Sequence, residues 1–256
     1  MPKNPDRAGA AASRASVYGL HAVRALLERR PERILTIHLA ARRDDPRIRE
    51  IETLARAAGR PVERIEADAL RRRLGDVAHQ GVLAEIEPLP PWTDAQLLEA
   101  LEHERAPLLL ALDGVQDPHN LGACLRTADA CGALAVIVPR DRAAQVTPVV
   151  RKVAAGAAET TPVAVVTNLA RTLGLLKQAG LWVIGADSGA EQPAAQADLT
   201  GAVVLVLGAE GSGLRQLTRQ HCDVLVRLPS LGAVESLNVS VAAGMLLYEA
   251  LRQRAA

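Results

Sequence analysis

Helical and β-type hydrophobic patterns alternate along the first third of the chain. Helical spacing of apolar residues covers 19–30, 46–58 and 67–74, and β-type runs cover 34–40, 61–66 and 81–88. Alternating helices and strands are typical of an α/β unit. We therefore predict a small α/β domain over residues 17–88. The segment before it, 1–16, is rich in Ala, Arg, Pro and Ser and is predicted to be a disordered tail.

Continuous apolar runs dominate the second part of the chain, starting with PLLLALD at 107–113. Similar runs lie at 133–139, 161–166, 181–187, 202–208 and 223–229, with helical patterns near 120–132, 145–155, 168–179, 213–221 and 236–254. Such runs are typical of strands that a parallel sheet buries on both faces. We predict a doubly wound α/β domain over 107–256. A proline-containing linker with a short helix, 89–106, is expected to precede it.

Composition narrows the class of protein. Apolar residues make up 49% of the 256 residues, enough for two cores, but the aromatic side chains are limited to Tyr18, Trp92, Trp182 and Tyr248. Aromatic platforms that stack RNA bases are therefore not expected. Residues 1–90 carry 17 Lys and Arg against 13 Asp and Glu, which is a small basic surplus. That surplus suits contact with phosphate, and it equally suits a solvated arginine-rich surface.

The three cysteines, Cys124, Cys131 and Cys222, form no CxxC pair and no cluster with histidine at metal-ligand spacing. We therefore expect neither a metal site nor a disulfide framework. The sequence contains no apolar stretch long enough to span a bilayer, and 1–16 lacks the apolar run of a signal peptide. These features predict a cytoplasmic protein without membrane contact.

Polar loops follow predicted strands at three places, and ligands of open α/β sheets bind at such strand ends. The first is DGVQDPHNLGACLRTADACGA at 113–133. Asn120 suits an N-cap as well as a ligand contact. Arg126 lies with Gly122 and Asp129 on the helix face opposite an apolar stripe, where it either contacts a ligand or is simply solvated.

The second place is VVLVLGAEGSGL at 203–214, where Glu210 lies among glycines that allow a ligand to approach the backbone. The alternative is a sharp turn before a helix capped by Ser212. The third place is LPSLGAVESLNVSVAAGMLLYEALR at 228–252. Here Ser236 and Asn238 precede an almost wholly apolar helix, where they suit either a cap or a site for an anionic group.

Together these three segments resemble the three sequence motifs of the SpoU, or TrmH-type, RNA ribose methyltransferases of the SPOUT class. The similarity extends to HAVRALLERRPERI, VAHQGVLA, AVIVPRDRAAQ, VAAGAAET and VTNLART, and covers about 17–254. Within the family, the resemblance is to the bacterial enzymes that use S-adenosylmethionine to methylate a guanosine ribose in the peptidyl-transferase region of 23S rRNA.

The resemblance implies features that spacing alone does not show. It implies a trefoil knot in the C-terminal domain, against the general rule that chains are not knotted. It also implies an L30e-like fold for the N-terminal substrate-binding domain, and a homodimer that packs through the last helix. Gly208, Leu228 and Leu237 stand where the family binds the methyl donor. The positions of the family's functional residues are held by Asn120, Arg126, Glu210, Ser236 and Asn238.

Methyl transfer from a sulfonium to a ribose 2′ oxygen is an in-line displacement, so the acceptor must be aligned and made more nucleophilic. We favour Arg126 as a phosphate clamp that orients the 2′-hydroxyl, because a guanidinium does not deprotonate readily. Its role as a general base stays open. Glu210 and Asn120 would support the arginine or the substrate, while Ser236 and Asn238 would shape the donor loop and nucleotide pocket.

Three other functions remain on sequence grounds. A tRNA ribose methyltransferase has a similar catalytic domain, and a non-catalytic ribosome-assembly factor would keep the fold without turnover. A Rossmann-type dehydrogenase fits the alternation but lacks the glycine fingerprint at the first strand.

Two surfaces are expected to meet partners. Arg71, Arg72, Arg73 and the loop at 79–81 are expected to contact rRNA, unless the arginines form a plain solvated helix face. The apolar residues between Val239 and Leu251 leave no coherent polar face, which favours a homodimer, although burial against the domain's own sheet would also cover them.

Overall fold

A computed structural model of the protein describes residues 14–75, 77, 79–232 and 236–255. The chain divides into two compact units, Met1–Leu89 and Pro90–Ala256. Each unit has its own sheet and its own apolar core.

The described residues of the first unit form a four-stranded sheet and three α-helices. Its strands are β1 (Ala15–Tyr18), β2 (Ile34–Ala40), β3 (Val62–Ile65) and β4 (Val82–Ile86), and its helices are α1 (Leu20–Arg29), α2 (Pro46–Ala57) and α3 (Ala67–Leu74). The strand order is β1-β4-β2-β3, with β2 and β3 parallel and the other neighbours antiparallel. The apolar faces of α1 and α2 pack on this sheet around Val23, Ile37 and Ile51.

The first strand corrects the expected tail. Residues 15 and 16 belong to β1, which pairs with β4, and Ala15 and Val17 are buried in the core. These residues form a strand because they pair with β4 and bury one face. A four-residue alternating segment beside a polar stretch does not indicate such pairing in the sequence. The remainder of the expected tail, 1–13, lies outside the described residues.

The second unit is a seven-stranded parallel sheet between helices. Its strands are β5 (Leu108–Asp113), β6 (Ala135–Pro139), β7 (Val163–Val166), β8 (Trp182–Ala186), β9 (Gln192–Pro193), β10 (Val203–Gly208) and β11 (Val224–Arg227). Its helices are α4 (Asp94–Leu101), α5 (Pro118–Ala130), α6 (Pro148–Ala154), α7 (Leu169–Gln178), α8 (Gln216–His221) and α9 (Val239–Arg254). The order β7-β6-β5-β10-β8-β11-β9 confirms the predicted α/β class with a parallel sheet.

The expected linker, 89–106, is largely part of this second unit. Thr93 caps α4 through a capping box with Gln96, and Leu97 and Leu101 are buried against the sheet. Trp92 forms a β-bridge with Ala164 of β7. Proline clustering indicated a linker with a short helix, and burial of the apolar side of α4 packs that helix on the sheet.

Two apolar cores lie on the two faces of the second sheet. One includes Leu110, Leu125 and Leu246, and the other includes Leu109, Leu173 and Val204. Alternate residues of β5 thus enter opposite cores, as expected for a strand covered on both faces. Within the described part of the chain, no helix is long and apolar enough to cross a membrane.

Candidate active site

The central strands β5 and β10 end side by side. Gly208, the last residue of β10, is the register partner of Asp113, the last residue of β5. The first two polar loops found in the sequence therefore leave the sheet at neighbouring points. The N-terminus of α9 lies against the same loops, because Val239 contributes to both cavities described below.

Three side chains from the three polar segments form one hydrogen-bonded cluster. Nδ2 of Asn238 donates to Oε1 of Glu210 at 2.6 Å and to Oδ1 of Asn120 at 2.9 Å. Nδ2 of Asn120 donates to the same Glu210 oxygen at 3.2 Å, and the backbone N–H of Val239 lies 3.3 Å from it. We call Asn120, Glu210 and Asn238 the amide–carboxylate cluster.

Asn238 has a second task, because it is the N-cap of α9. Its Oδ1 accepts hydrogen bonds from the backbone N–H of Ser240 at 2.9 Å and from the hydroxyl of Ser240 at 2.6 Å. Asn120, in contrast, is not a cap. Asp117 caps α5 by accepting from the N–H of His119, with Pro118 in the first turn, so Asn120 lies inside the helix with its amide directed at the cluster.

Two neighbouring cavities share a wall at this cluster. The larger, of about 560 Å³, gathers five of the site residues proposed from the sequence, namely Gly208, Glu210, Leu228, Ser236 and Leu237. The smaller, of about 330 Å³, has Asn120 in its lining. Both cavities include Ala209, Glu210, Ser212 and Val239.

Gly208 is required for the tight loop itself. A Cβ at this position would lie 2.0 Å from the carbonyl carbon of Gly213, and Gly213 forms a β-bridge with Ala209. The backbone that approaches Gly208 closely is therefore the protein's own. Ser212 does not cap the next helix, because α8 begins at Gln216 with Arg215 as its N-cap.

Arg126 lies apart from the cluster. Its side chain is exposed and has no hydrogen bond or ion pair with any of the described residues. It follows Asn120 by six residues on α5, which places it about 9 Å further along the helix axis and roughly 120° around it. The rest of its predicted face is occupied by packing, since a Cβ on buried Gly122 would lie 2.6 Å from Cβ of Val153, and Asp129 accepts from the Thr160 hydroxyl at 2.6 Å.

Sequence reasoning missed two residues beside the cluster, Asp113 and Arg215. Asp113 is buried, its Oδ2 accepts from the backbone N–H of Arg215 at 2.9 Å, and both residues line the smaller cavity. The available signal was a carboxylate directly at the end of a continuous apolar strand, because a buried carboxylate needs a partner. Nothing in the spacing pointed to Arg215.

The cysteines lie away from the two cavities and are not activated. Burial raises the pKa of Cys124 to about 12 and is the main cause that raises the pKa of Cys222 to about 11. The described residues contain no group of three His, Cys, Asp or Glu side chains suited to a metal ion.

In the first unit, part of the expected RNA surface is tied into the fold. Nη1 of Arg73 lies 2.9 Å from both Oε1 of Glu85 and Nε2 of His38. The Gln80 side chain accepts from the backbone N–H of Leu20 at the start of α1. Arg72 remains exposed on α3.

One face of α9 exposes apolar side chains at helical spacing. The exposed fraction is 50% for Val241, 42% for Met245, 64% for Tyr248 and 42% for Leu251. The opposite face, including Ala243, Leu246 and Leu247, is buried in the unit's own core. Burial in the unit's own core thus accounts for one face of the apolar helix, while the other face leaves its apolar side chains exposed.

Comparison with known proteins agrees with this arrangement. Residues 107–248 match the model of the SpoU rRNA Methylase family, and residues 16–92 match a model described as RNA 2′-O ribose methyltransferase substrate binding. The chain is 57% identical to the 23S rRNA (guanosine-2′-O-)-methyltransferase RlmB of Pseudomonas syringae pv. tomato, over 94% of this chain and 96% of the relative. It is 49% identical to the RlmB of Pectobacterium atrosepticum, over 93% and 98%.

Among solved structures, the SpoU methyltransferase AviRb from Streptomyces viridochromogenes in complex with AdoMet superposes with a TM-score of 0.74. It is 27% identical and covers 95% of this chain and 92% of its own. The three polar segments meet where β5 and β10 end, and the sequence matches relatives over both units. The chain therefore belongs to the SpoU rRNA methylase family.

Proposed function

We propose that this protein transfers a methyl group from S-adenosylmethionine to the 2′ oxygen of a guanosine ribose in the peptidyl-transferase region of 23S rRNA. The observation that carries the proposal is the position of the amide–carboxylate cluster in the wall that the two cavities share. A group-transfer reaction needs a donor and an acceptor held in fixed relative positions, and two cavities with a common wall can hold them in this way. The names of the relatives, which are 23S rRNA guanosine 2′-O-methyltransferases, supply the substrate.

The larger cavity fits the methyl donor. Its volume is within the usual range for small-molecule sites, and Gly208, Gly211 and Gly213 leave main-chain groups accessible in its wall. Leu228 and Leu237 offer apolar surface to a nucleoside, and the Glu210 carboxylate offers a negative charge to a sulfonium. Two solved neighbours, from Streptomyces viridochromogenes and Sinorhizobium meliloti, are AdoMet-bound methyltransferases.

The donor supplies an electrophilic methyl group, so the protein's task is to align the acceptor oxygen and exclude misplaced water. The cluster performs the alignment. Glu210 holds the loop after β10 against α5 and against the first turn of α9, and Ser236 and Leu237 directly precede that turn. Because Asn120, Asn238 and the backbone N–H of Val239 all donate to Oε1 of Glu210, we assign this carboxylate to organising both pockets rather than to acting as the base.

Arg126 is proposed to bind a phosphate beside the target ribose and to stabilise charge on the 2′ oxygen. Its exposed guanidinium has no internal partner among the described residues, which leaves it available for an RNA phosphate. The proton of the 2′-hydroxyl would leave to water or to that phosphate, because the guanidinium itself is a poor base.

The remaining assignments concern architecture. We propose that 17–88 is an L30e-like RNA-binding domain, that the last segments of 107–256 form a trefoil knot, and that the protein is a cytoplasmic homodimer. The match of 16–92 to a substrate-binding model supports the first. Packing of α9 against α5 and β10 after the chain has passed through β11 supports the second. The exposed apolar face of α9 supports the third.

The test is transfer of labelled methyl from S-adenosylmethionine to RNA by the purified protein. Transcripts of the 23S peptidyl-transferase region should become labelled at a single guanosine ribose, and tRNA should not. Label in tRNA alone would replace the substrate, while donor binding without transfer to any RNA would favour a non-catalytic assembly factor.

A further inference from the structure

The smaller cavity has an unusual charge pattern for an RNA-binding site. Among the described residues that line it, Arg215 is the cationic side chain, and Asp113, Asp117 and Glu210 are carboxylates. A site built mainly for phosphate would carry the opposite balance. Such a lining instead suits a neutral group that presents several hydrogen-bond donors and a few acceptors.

Two features fix the position of the Arg215 side chain. The Asp113 side chain is fully buried, and its Oδ1 lies 3.5 Å from Nη1 of Arg215 while accepting no hydrogen bond within the described part of the chain. Gly114 has a φ of +78°, and a Cβ there would lie only 2.9 Å from Nη2 of Arg215. The guanidinium therefore lies against bare backbone, above a buried carboxylate.

Arg215 is nevertheless open to a ligand, since 46% of its side chain is exposed. Burying a carboxylate beside one half-exposed arginine costs folding free energy, because desolvation of the charge can exceed the attraction between the two groups. The pair therefore serves a purpose other than stability. We take that purpose to be orientation, because the carboxylate and the glycine together hold a planar fork of donors in the lining of the cavity.

We propose that this cavity receives the base of the target nucleotide and that Arg215 recognises guanine through its O6 and N7 atoms. This inference rests on the proposed function, in which the donor occupies the adjoining cavity. Arginine donates two parallel hydrogen bonds to O6 and N7 of guanine, whereas adenine places an N6 amino donor where O6 would be. Asp113 is a positioning residue for Arg215, and the carboxylates of Asp117 and Glu210 offer acceptors to the N1–H and N2–H donors of guanine.

The base must leave any stacked helix to enter the cavity, which agrees with RNA recognition through splayed, single-stranded nucleotides. The wall shared by the two cavities links recognition of the base to the position of its ribose. A base held on one side of Ala209, Glu210 and Val239 fixes where its own ribose lies relative to the other side.

The experiment uses the full-length protein and an rRNA fragment whose methylated guanosine is replaced in turn by inosine, adenosine or 2-aminopurine ribonucleotides. Inosine keeps O6 and N7, while the other two lack O6, and all keep the 2′-hydroxyl. We expect the wild-type kcat/KM to be roughly 5- to 150-fold higher for guanosine and inosine than for adenosine and 2-aminopurine. Arg215→Lys and Arg215→Ala should reduce that ratio to within about threefold, because lysine keeps the charge but not the fork.

Asp113→Asn should lower the ratio in the same direction, and two variants serve as matched controls. Asp223→Asn also removes a carboxylate that accepts from a backbone N–H and pairs with a cation, but away from both cavities, so the ratio should stay unchanged. Arg171→Lys alters an exposed arginine of α7 and should likewise change nothing.

Each outcome of the experiment either supports or overturns a stated part of the proposal. Full selectivity in Arg215→Lys, or a wild-type protein that methylates all four nucleotides equally well, overturns the assignment of Arg215 and leaves the proposed function intact. A wild-type protein that transfers methyl to none of the four RNAs overturns the proposed function itself. Loss of selectivity in the arginine variants, with donor affinity maintained, supports the assignment.

Discussion

Asn238 donates a 2.6 Å hydrogen bond to Glu210, and this contact joins the loop after β10 to the first turn of α9. The same asparagine caps that helix with its other amide atom, so one side chain serves both elements. A hydrogen bond to a carboxylate is stronger than one between neutral groups. The geometry of both cavities therefore depends on a contact between two residues that are 28 positions apart.

A double-mutant cycle should reveal this dependence. Glu210→Ala is expected to lower the free energy of unfolding by about 1.5 to 3 kcal/mol, because it leaves amide donors without their charged acceptor. Asn238→Ala should cost a similar amount, since it also removes the helix cap. The double variant should cost less than the sum of the two, by about 0.5 to 3 kcal/mol, in urea unfolding monitored by circular dichroism.

An Asp198→Ala variant is the control for that cycle, because Asp198 makes only a local, exposed turn with Thr200. It should show no coupling to Glu210→Ala. Strict additivity between Glu210→Ala and Asn238→Ala would contradict the view that they act as one unit.

Arg126→Ala should abolish methyl transfer and leave donor binding nearly unchanged, since the residue lines neither cavity. We expect kcat to fall by about 100-fold or more, as is usual when a group that stabilises charge in the transition state is removed. Calorimetry measures donor affinity, and incorporation of labelled methyl measures turnover. Arg171→Ala, which removes an exposed arginine from α7, should retain full activity, and full activity of Arg126→Ala would remove Arg126 from the mechanism.

The exposed face of α9 should hold two subunits together. Met245→Glu or Tyr248→Glu would place a charge in that apolar face, and each should shift sedimentation toward the monomer. Leu217→Glu is the matched control, because Leu217 is as exposed as Tyr248, 63% against 64%, but lies on α8. A folded and active monomer of the unmodified protein at all concentrations would show that the face serves another purpose.

The thiols of Cys124 and Cys222 should resist alkylation in the folded protein. With the pKa of Cys124 raised to about 12 and that of Cys222 to about 11, almost no thiolate forms at pH 8, and thiolate is the reactive species. Iodoacetamide should therefore label these two residues at least about 100 times more slowly than in urea, as followed by mass spectrometry. Equal labelling rates of Cys124 in the folded and unfolded states would show that the helix α5 opens readily.

Much of the second unit was predictable because its strands are continuous apolar runs. A strand buried on both faces, such as β5, has a signature that does not depend on its neighbours. The first strand, β1, lacks such a signature, since its four residues become a strand only by pairing with β4. Trp92 and α4 were placed in a linker for the same reason, as their burial depends on β7.

The site was predictable to a different degree. Asn120, Glu210 and Asn238 stood out as polar residues after strands, and the structure brings these three together. Asp113 and Arg215 were missed because their relationship joins positions 102 residues apart and depends on the adjacent ends of β5 and β10. The roles of Gly122 and Gly208 were also hidden, because close approach of α6 or of a loop cannot be read from spacing.

The most direct test of the proposed reaction replaces the target guanosine of the rRNA fragment by 2′-deoxyguanosine. The full-length protein should transfer about one labelled methyl group to the ribonucleotide substrate and none to the deoxy substrate, since the deoxy sugar lacks the accepting oxygen while the base is unchanged. Transfer of label to the deoxy substrate would place the methyl group on the base and contradict ribose methylation.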